Sequence, residues 1–134
     1  MTRPAMKKFQ SILLVDDDPV SNYMTTYFLS KTGICTQVSI SKNGMEALQF
    51  LQQNPNNPPE VILLDVHMPV MDGLEFLQRI CTTGFDRNKT RIVLYTINTK
   101  DIEKEKERFG VELIDKPLTE HKFYEALSNY QLEK

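Results

Sequence analysis

Short runs of apolar residues recur along the chain, separated by segments in which polar and apolar positions mix. Residues 12–15 and 61–64 are each four apolar residues in a row, a pattern typical of strands buried on both faces of a sheet. Shorter or mixed runs around residues 37–40, 91–95 and 111–114 predict further strands. The apolar pattern therefore predicts five strands in total.

A segment of helical period follows each predicted strand. Pro19 suits the first position of a helix, where its missing N–H group has no partner to lose. Residues 100–109 are strongly charged, with opposite charges three apart, which is typical of an exposed helix with weak surface ion pairs. The alternation predicts one α/β domain over residues 1–134, core about 10–132, with a parallel sheet covered on both faces. The predicted inner face of the first helix comprises Val20, Met24, Tyr27 and Phe28.

Composition limits the classes of function that this chain can have. Its 134 residues are the usual length of one domain, and the net charge of -2 has no basic excess, so we expect no direct binding to nucleic acid. The longest apolar runs are far shorter than the roughly 20 residues of a membrane span. Two cysteines make no disulfide framework, so we expect two buried thiols and a cytoplasmic protein.

Polar side chains follow the buried strands at the points where those strands end. Asp16 and Asp17 follow the first strand, and Asp65, Thr96 and Lys116 follow or end later ones. Turn-forming Asp and Thr residues commonly cap strands, which would explain one or two of these positions. Because the carboxyl ends of parallel strands meet at one edge, where α/β proteins bind ligands, we expect all five side chains to converge there.

The expected cluster has a definite chemistry. Neighbouring carboxylates repel each other unless a cation lies among them, and an all-oxygen set suits Mg²⁺. A carboxylate can also act as a nucleophile and form an aspartyl-phosphate. The Lys116 ammonium and the Thr96 hydroxyl would then stabilise the charge on the phosphoryl oxygens.

Four motifs in this order resemble the receiver domains of two-component response regulators. They are LLVDDDP at residues 13–19, LLDVHMPVMDG at 63–73, LYT at 94–96 and DKP at 115–117. The third and fourth are weak alone, but the second is specific, and the resemblance extends from residue 12 to residue 132. It implies a doubly wound, flavodoxin-like (βα)5 fold with a five-stranded parallel sheet of strand order 2-1-3-4-5.

The resemblance also implies a role for each site residue. Asp65 would accept a phosphoryl group from a sensor histidine kinase or a histidine phosphotransfer protein, and Thr96 and Lys116 would contact the phosphoryl oxygens. The Lys116-Pro117 bond would be cis, and Gly73 would begin the third helix. Asp17, Asp65 and the backbone carbonyl of His67 would bind Mg²⁺ directly, and Asp16 would act on the ion mostly through water.

Output would require a partner protein, because the chain ends soon after the last predicted helix. We expect an unidentified downstream protein to bind a face within residues 100–132, and no membrane to be involved. Two positions depart from the family pattern. Ile97 stands where a small residue is usual, and Leu113 replaces the usual switch aromatic; Tyr95 cannot substitute, because its side chain should point to the opposite face from Thr96.

Other functions are compatible with the same pattern. Asp16 and Asp18 loosely match the nucleophile motif of haloacid dehalogenase-type phosphatases, with Asp16 phosphorylated and Asp18 as general acid. A flavodoxin-like cofactor binder would need a glycine-rich loop after the first strand, where this chain has three acids that repel phosphate. A receiver-like module that binds partners without phosphorylation is a further alternative.

Overall fold

The computed structural model describes residues 8–97 and 99–131. Within this part of the chain, strands and helices alternate as the apolar pattern predicts. The strands are β1 (Phe9–Val15), β2 (Cys35–Ser41), β3 (Val61–Leu64), β4 (Arg91–Thr96) and β5 (Glu112–Asp115). The helices are α1 (Pro19–Thr32), α2 (Gly44–Gln53), α3 (Gly73–Thr82), α4 (Glu103–Phe109) and α5 (Glu120–Gln131). Short 3-10 turns precede β4 and α4, at Arg87–Lys89 and Lys100–Ile102.

The five strands form one parallel sheet in the order β2-β1-β3-β4-β5. This confirms the fold class and the strand order that the resemblance implies. Leu14 of β1 pairs with Ile40 on one side and with Leu63 on the other. Because every strand runs the same way, the residues that follow β1, β3 and β5 and the end of β4 lie at one edge of the sheet.

Helices cover both faces of the sheet and bury alternate strand residues against two apolar clusters. On one face, Leu13, Ile62 and Leu94 pack with side chains of α2, α3 and α4. On the other face, Leu14, Leu63 and Tyr95 pack with side chains of α1 and α5. All four residues of β3 are buried, as the continuous apolar run predicts.

Helix α1 is rotated relative to the sequence prediction. Val20, Met24 and Tyr27 are 65%, 59% and 56% exposed, so the prediction that they form the inner face is wrong. Phe28 is only partly buried. The buried residues of the helix are Asn22, Thr25 and Leu29.

Polar partners explain this rotation. The Asn22 amide donates to the backbone carbonyl of Asp16 at 2.8 Å, and the Thr25 hydroxyl shares a hydrogen bond of 2.9 Å with the Tyr95 hydroxyl. Both bonds are buried, and they replace hydrogen bonds that the Asn22 amide N–H and the Thr25 hydroxyl would make to water. The Asn22 Oδ1 atom is buried without a hydrogen-bond partner among the described residues. The apolar residues of α1 are consequently left on its outer face.

The helix ends and the cysteines complete the local picture. Asp18 caps α1 by accepting a hydrogen bond from the Val20 N–H group. Both cysteines are free thiols, but Cys35 is half-buried and Cys81 is exposed, so the prediction of two buried thiols is wrong. In the described part of the chain, none of the helices combines the length and apolar character needed to cross a membrane.

Candidate functional site

Three carboxylates meet at the carboxyl edge of the sheet. Asp16 and Asp17 follow β1 and Asp65 follows β3, and one oxygen atom of each lies within 4.8 Å of the others. The exposed imidazole of His67 is not part of this group among the described residues. The structure therefore brings together the acids that the sequence singles out.

Asp16 is fully buried and held by three donors. The Lys116 ammonium lies 2.5 Å from its Oδ2 atom, and the Ser21 hydroxyl donates to the same oxygen at 2.9 Å. The Asp18 N–H group donates to Oδ1 at 3.0 Å. Both oxygens of Asp16 therefore accept hydrogen bonds from the protein.

Asp65 is set in a poorly solvated position. Its N–H group donates to the Val15 carbonyl at 2.9 Å, which fixes the backbone, and the residue is 9% exposed. Burial raises the pKa of the Asp65 carboxyl to about 6; the Lys116 ammonium lowers it and the Asp16 carboxylate raises it. A cation among these acids would relieve the same repulsion.

Thr96 and Lys116 complete the edge. Thr96 ends β4 and is buried, and its carbonyl accepts a hydrogen bond from the Lys116 N–H group at 2.9 Å. The Lys116-Pro117 peptide is cis, which confirms that prediction. The Lys122 ammonium donates to the carbonyls of Asp115 and Pro117 at 3.1 Å each, so the loop after β5 is anchored on α5.

The loop between β3 and α3 approaches the site closely. Gly73 begins α3 as predicted, and its N–H group donates to the Val66 carbonyl at 2.9 Å. A Cβ atom on Gly73 would lie 2.3 Å from the Asp65 carbonyl oxygen, so the position has no room for a side chain. Val70, exposed in this loop, has φ 70, a left-handed conformation that is rare for a β-branched residue.

Three side chains near the site were not predicted from the sequence to belong to it. Ser21 and Asn22 of α1 bond to Asp16, and Tyr95 lies with its ring centroid 5.1 Å from the Lys116 ammonium. The sequence carried one signal for the helix residues. Asn22, Thr25 and Leu29 are spaced so that they lie on one face of α1, which indicates that two polar residues share a face with a leucine.

The two departures from the family pattern are visible in the structure. Ile97 directly follows the site at the end of β4 and its side chain is 79% exposed. Leu113 is partly buried against the cluster that contains α4. Tyr95 packs in the cluster on the opposite face, which confirms the predicted orientation of its side chain.

The donor set fits a hard divalent cation. Its potential ligands are carboxylate oxygens, with no thiol or imidazole in the group of described residues. Mg²⁺ prefers such oxygens and keeps several waters and phosphate oxygens in its shell. One exposed acid, Asp17, leaves the site open to solvent on one side.

Comparison with known proteins agrees with this geometry. The response regulator receiver domain family matches residues 12–128. The probable C4-dicarboxylate response regulator DctR of Priestia megaterium is 30% identical over 128 residues, covering 93% of this chain and 53% of that protein. The chain thus spans about half the length of the curated relatives DctR of Priestia megaterium and of Halalkalibacterium halodurans.

Solved structures show the same likeness. The bacteriophytochrome response regulator AtBRR superposes with a TM-score of 0.80 at 28% identity, covering 95% of this chain and 96% of that one. The chemotaxis response regulator CheY4 of Vibrio cholerae gives a TM-score of 0.72 at 27% identity, covering 91% and 98%. The likeness therefore extends over nearly the whole fold.

Proposed function

This chain belongs to the response regulator receiver domain family of two-component systems, and on that premise we propose that it accepts a phosphoryl group on Asp65. The observation that carries the proposal is the group of three carboxylates within 4.8 Å, with Lys116 bonded to one of them. Asp16 already accepts three hydrogen bonds from the protein and Asp17 is exposed, whereas Asp65 is almost buried next to the Lys116 ammonium.

The proposed cofactor is Mg²⁺. Asp17 and Asp65 would hold the ion directly, Asp16 would act mostly through water, and the backbone carbonyl of His67 would complete the protein ligands. The three donors on Asp16 support this division, because they leave its carboxylate little capacity for a direct metal bond. When bound, the ion would neutralise charge on the phosphoryl oxygens.

The donor in this proposal is a phosphohistidine on a sensor histidine kinase or a histidine phosphotransfer protein. An Asp65 carboxylate oxygen attacks phosphorus, and the bond from phosphorus to the imidazole nitrogen breaks with its electron pair staying on nitrogen. Lys116 then exchanges its partner Asp16 for a phosphoryl oxygen, and the Thr96 hydroxyl donates to another. Asp65 is ionised for this step at neutral pH, since its pKa is about 6.

The surface best suited to the donor is the outer face of α1. We define the α1 surface as Val20, Tyr23, Met24 and Tyr27, which are all more than half exposed. Tyr23 and Tyr27 stack with ring centroids 6.5 Å apart. Because α1 begins at Pro19, two residues after Asp17, a helix docked on this surface would hold its phosphohistidine near Asp65.

The downstream partner is assigned to a different surface, within residues 100–132. Among the described side chains of residues 99–128, none is a large apolar group that is exposed. Exposed acids and bases dominate α4 instead. A contact there would be largely electrostatic and transient, which suits a partner that must leave when the signal ends.

The geometry also bears on the alternatives. A phosphatase of the haloacid dehalogenase type would need Asp16 as a free nucleophile, but this carboxylate is fully buried and accepts three hydrogen bonds. The acids after β1 would repel the phosphate of a flavin cofactor. A receiver-like module that binds without phosphorylation differs from our proposal only in its chemistry, so it must be separated by experiment.

Labelling with phosphoramidate in the presence of Mg²⁺ tests the proposal, with peptide mapping by mass spectrometry to locate the product. We expect one phosphoryl group per chain, on Asp65, and none on the Asp65→Asn variant. Asp72→Asn is the matched control: Asp72 caps α3 by accepting from the Glu75 N–H group, and asparagine caps equally well. Phosphate on Asp16 would indicate a phosphatase, and absence of any labelling would indicate a binding module.

A further inference from the structure

Tyr95 contacts two parts of the molecule at once. It is 2% exposed, its hydroxyl shares a 2.9 Å hydrogen bond with Thr25 of α1, and its ring centroid lies 5.1 Å from the Lys116 ammonium. It directly precedes Thr96 in β4, yet its side chain lies on the face of the sheet that α1 and α5 cover. One residue thus joins the first helix to the lysine of the site.

The contact with Lys116 is of a kind that stabilises an ammonium group. An aromatic ring attracts a cation within about 6 Å of its centroid, and the attraction grows when water is excluded. The Lys116 side chain is 12% exposed, so little water screens the contact. The ammonium also bonds to the Asp16 carboxylate, and it lies close enough to Asp65 to lower the pKa of that carboxyl.

The hydroxyl bond fixes the ring in place. A buried tyrosine hydroxyl without a partner is destabilising, and here Thr25 supplies the partner. Thr25 in turn is buried on α1, whose first turn is tied to Asp16 through Ser21 and Asn22. The ring therefore stands between two elements that are both bonded to the same site.

We propose that Tyr95 is a positioning residue for Lys116: its ring holds the ammonium at the site, and its bond to Thr25 holds the ring. The role of the positioned lysine rests on the proposed function, because Lys116 must leave Asp16 for a phosphoryl oxygen. During that exchange one contact of the ammonium breaks while the contact with the ring keeps it near the edge of the sheet. Binding at the α1 surface and occupancy of the site then share a physical link.

The first test observes the lysine directly, without metal or any phosphoryl analogue. In protein labelled with ¹⁵N-lysine, NMR measures the exchange of the Lys116 ammonium protons with water; the signal is assigned by its loss in Lys116→Arg. Tyr95→Leu should accelerate this exchange about three- to tenfold, the factor expected for one partly buried cation–π contact. Ile40→Ala, which truncates an exposed side chain outside the α1 surface and the site, is the control and should leave the exchange unchanged.

The anchoring bond is tested by a double-mutant cycle. Tyr95→Phe and Thr25→Val each remove one side of the hydroxyl bond and retain the ring. Each should give a smaller acceleration than Tyr95→Leu, and their effects should not add in the double variant, because both changes remove the Tyr95–Thr25 bond. Tyr95→Phe also removes the hydrogen bond between the hydroxyl and the Leu118 backbone, so its effect should be at least as large as that of Thr25→Val. These two variants also carry the test if Tyr95→Leu fails to fold.

A second measurement tests whether the position of Lys116 matters for binding at the site. It is the affinity of the Mg²⁺-loaded protein for beryllofluoride. Tyr95→Leu should weaken it about three- to tenfold relative to wild type and Ile40→Ala. If wild type itself binds no beryllofluoride, the proposed function fails, while the ammonium exchange still tests the role of Tyr95. Unchanged ammonium exchange in folded Tyr95→Leu, or in both Tyr95→Phe and Thr25→Val, would overturn the inference.

Discussion

At the scale of single residues, the Asp65 carboxyl shows how the fold prepares its site. Burial raises its pKa to about 6, so the folded protein holds this proton more tightly than the unfolded chain, in which the pKa is near 3.9. As pH rises from about 4 to about 6, the unfolded chain loses the proton first. Ionised Asp65 therefore destabilises the metal-free fold above that range.

We predict that Asp65→Asn stabilises the metal-free protein at pH 8 by about 1–3 kcal/mol in the free energy of unfolding. The gain should shrink as pH falls below 6 and vanish below about pH 3, because the wild-type carboxyl is then neutral in both states. Urea unfolding in EDTA at several pH values measures this, with Asp72→Asn as the control. Parallel pH profiles for wild type and Asp65→Asn would contradict the prediction.

The site requires a residue without a side chain at position 73, where the chain has Gly73. A methyl group there would lie 2.3 Å from the Asp65 carbonyl oxygen, which is backbone and cannot rotate away. We expect Gly73→Ala to lower the free energy of unfolding by about 1–3 kcal/mol and to reduce phosphoramidate labelling. Gln78→Ala, an exposed position on the same helix, should change neither. Normal labelling of Gly73→Ala would show that the loop adapts.

Ile97 stands beside the site where a small residue is usual in the family. We predict that wild type is labelled slowly by acetyl phosphate and that Ile97→Ala accelerates labelling, because a smaller side chain widens the approach to Asp65. The residue is 79% exposed, so its truncation should change stability by less than about 0.5 kcal/mol. Ile40→Ala removes the same atoms from another exposed site. Equal rates for wild type and Ile97→Ala would refute the prediction.

At the scale of elements, helix α1 shows where sequence patterns mislead. The rule that apolar residues face inward placed Val20, Met24 and Tyr27 in the core, but the structure turns them outward. Asn22 and Thr25 face inward because they form hydrogen bonds with Asp16 and Tyr95, which both lie outside the helix. The spacing of Asn22, Thr25 and Leu29 marks this face, but the residues of the helix alone do not reveal the partners that make it the buried one.

The same helix leads to a prediction about the donor. Replacing Tyr23 and Tyr27 with serine should slow phosphoryl transfer from a phosphorylated histidine phosphotransfer domain that labels wild type, by about 10- to 100-fold. Labelling by phosphoramidate should be unchanged, since both side chains are exposed and lie outside the site. Glu107→Ala with Arg108→Ala on α4 is the control. Unchanged transfer by the serine variant would remove the α1 surface as the docking site.

At the scale of the whole molecule, the sheet and its site were largely predictable. Strand positions followed from apolar runs such as residues 61–64, and the edge location of Asp16, Asp65 and Lys116 followed from the geometry of parallel strands. The strand order came from the family resemblance. The bond between Lys116 and Asp16 and the contact of Tyr95 with Lys116 were not predictable, because each joins separate elements of the fold.

The most direct test of the central claim is the response of backbone amide NMR signals to Mg²⁺ and beryllofluoride, in wild type and in Asp65→Asn. Phosphoryl acceptance on Asp65 predicts Mg²⁺-dependent shifts centred on Asp65, Thr96 and Lys116 in wild type, and none of them in the variant. If wild type shows no Mg²⁺-dependent response, Asp65 is not a phosphoacceptor, and the chain acts as a receiver-like module that binds its partners without phosphorylation.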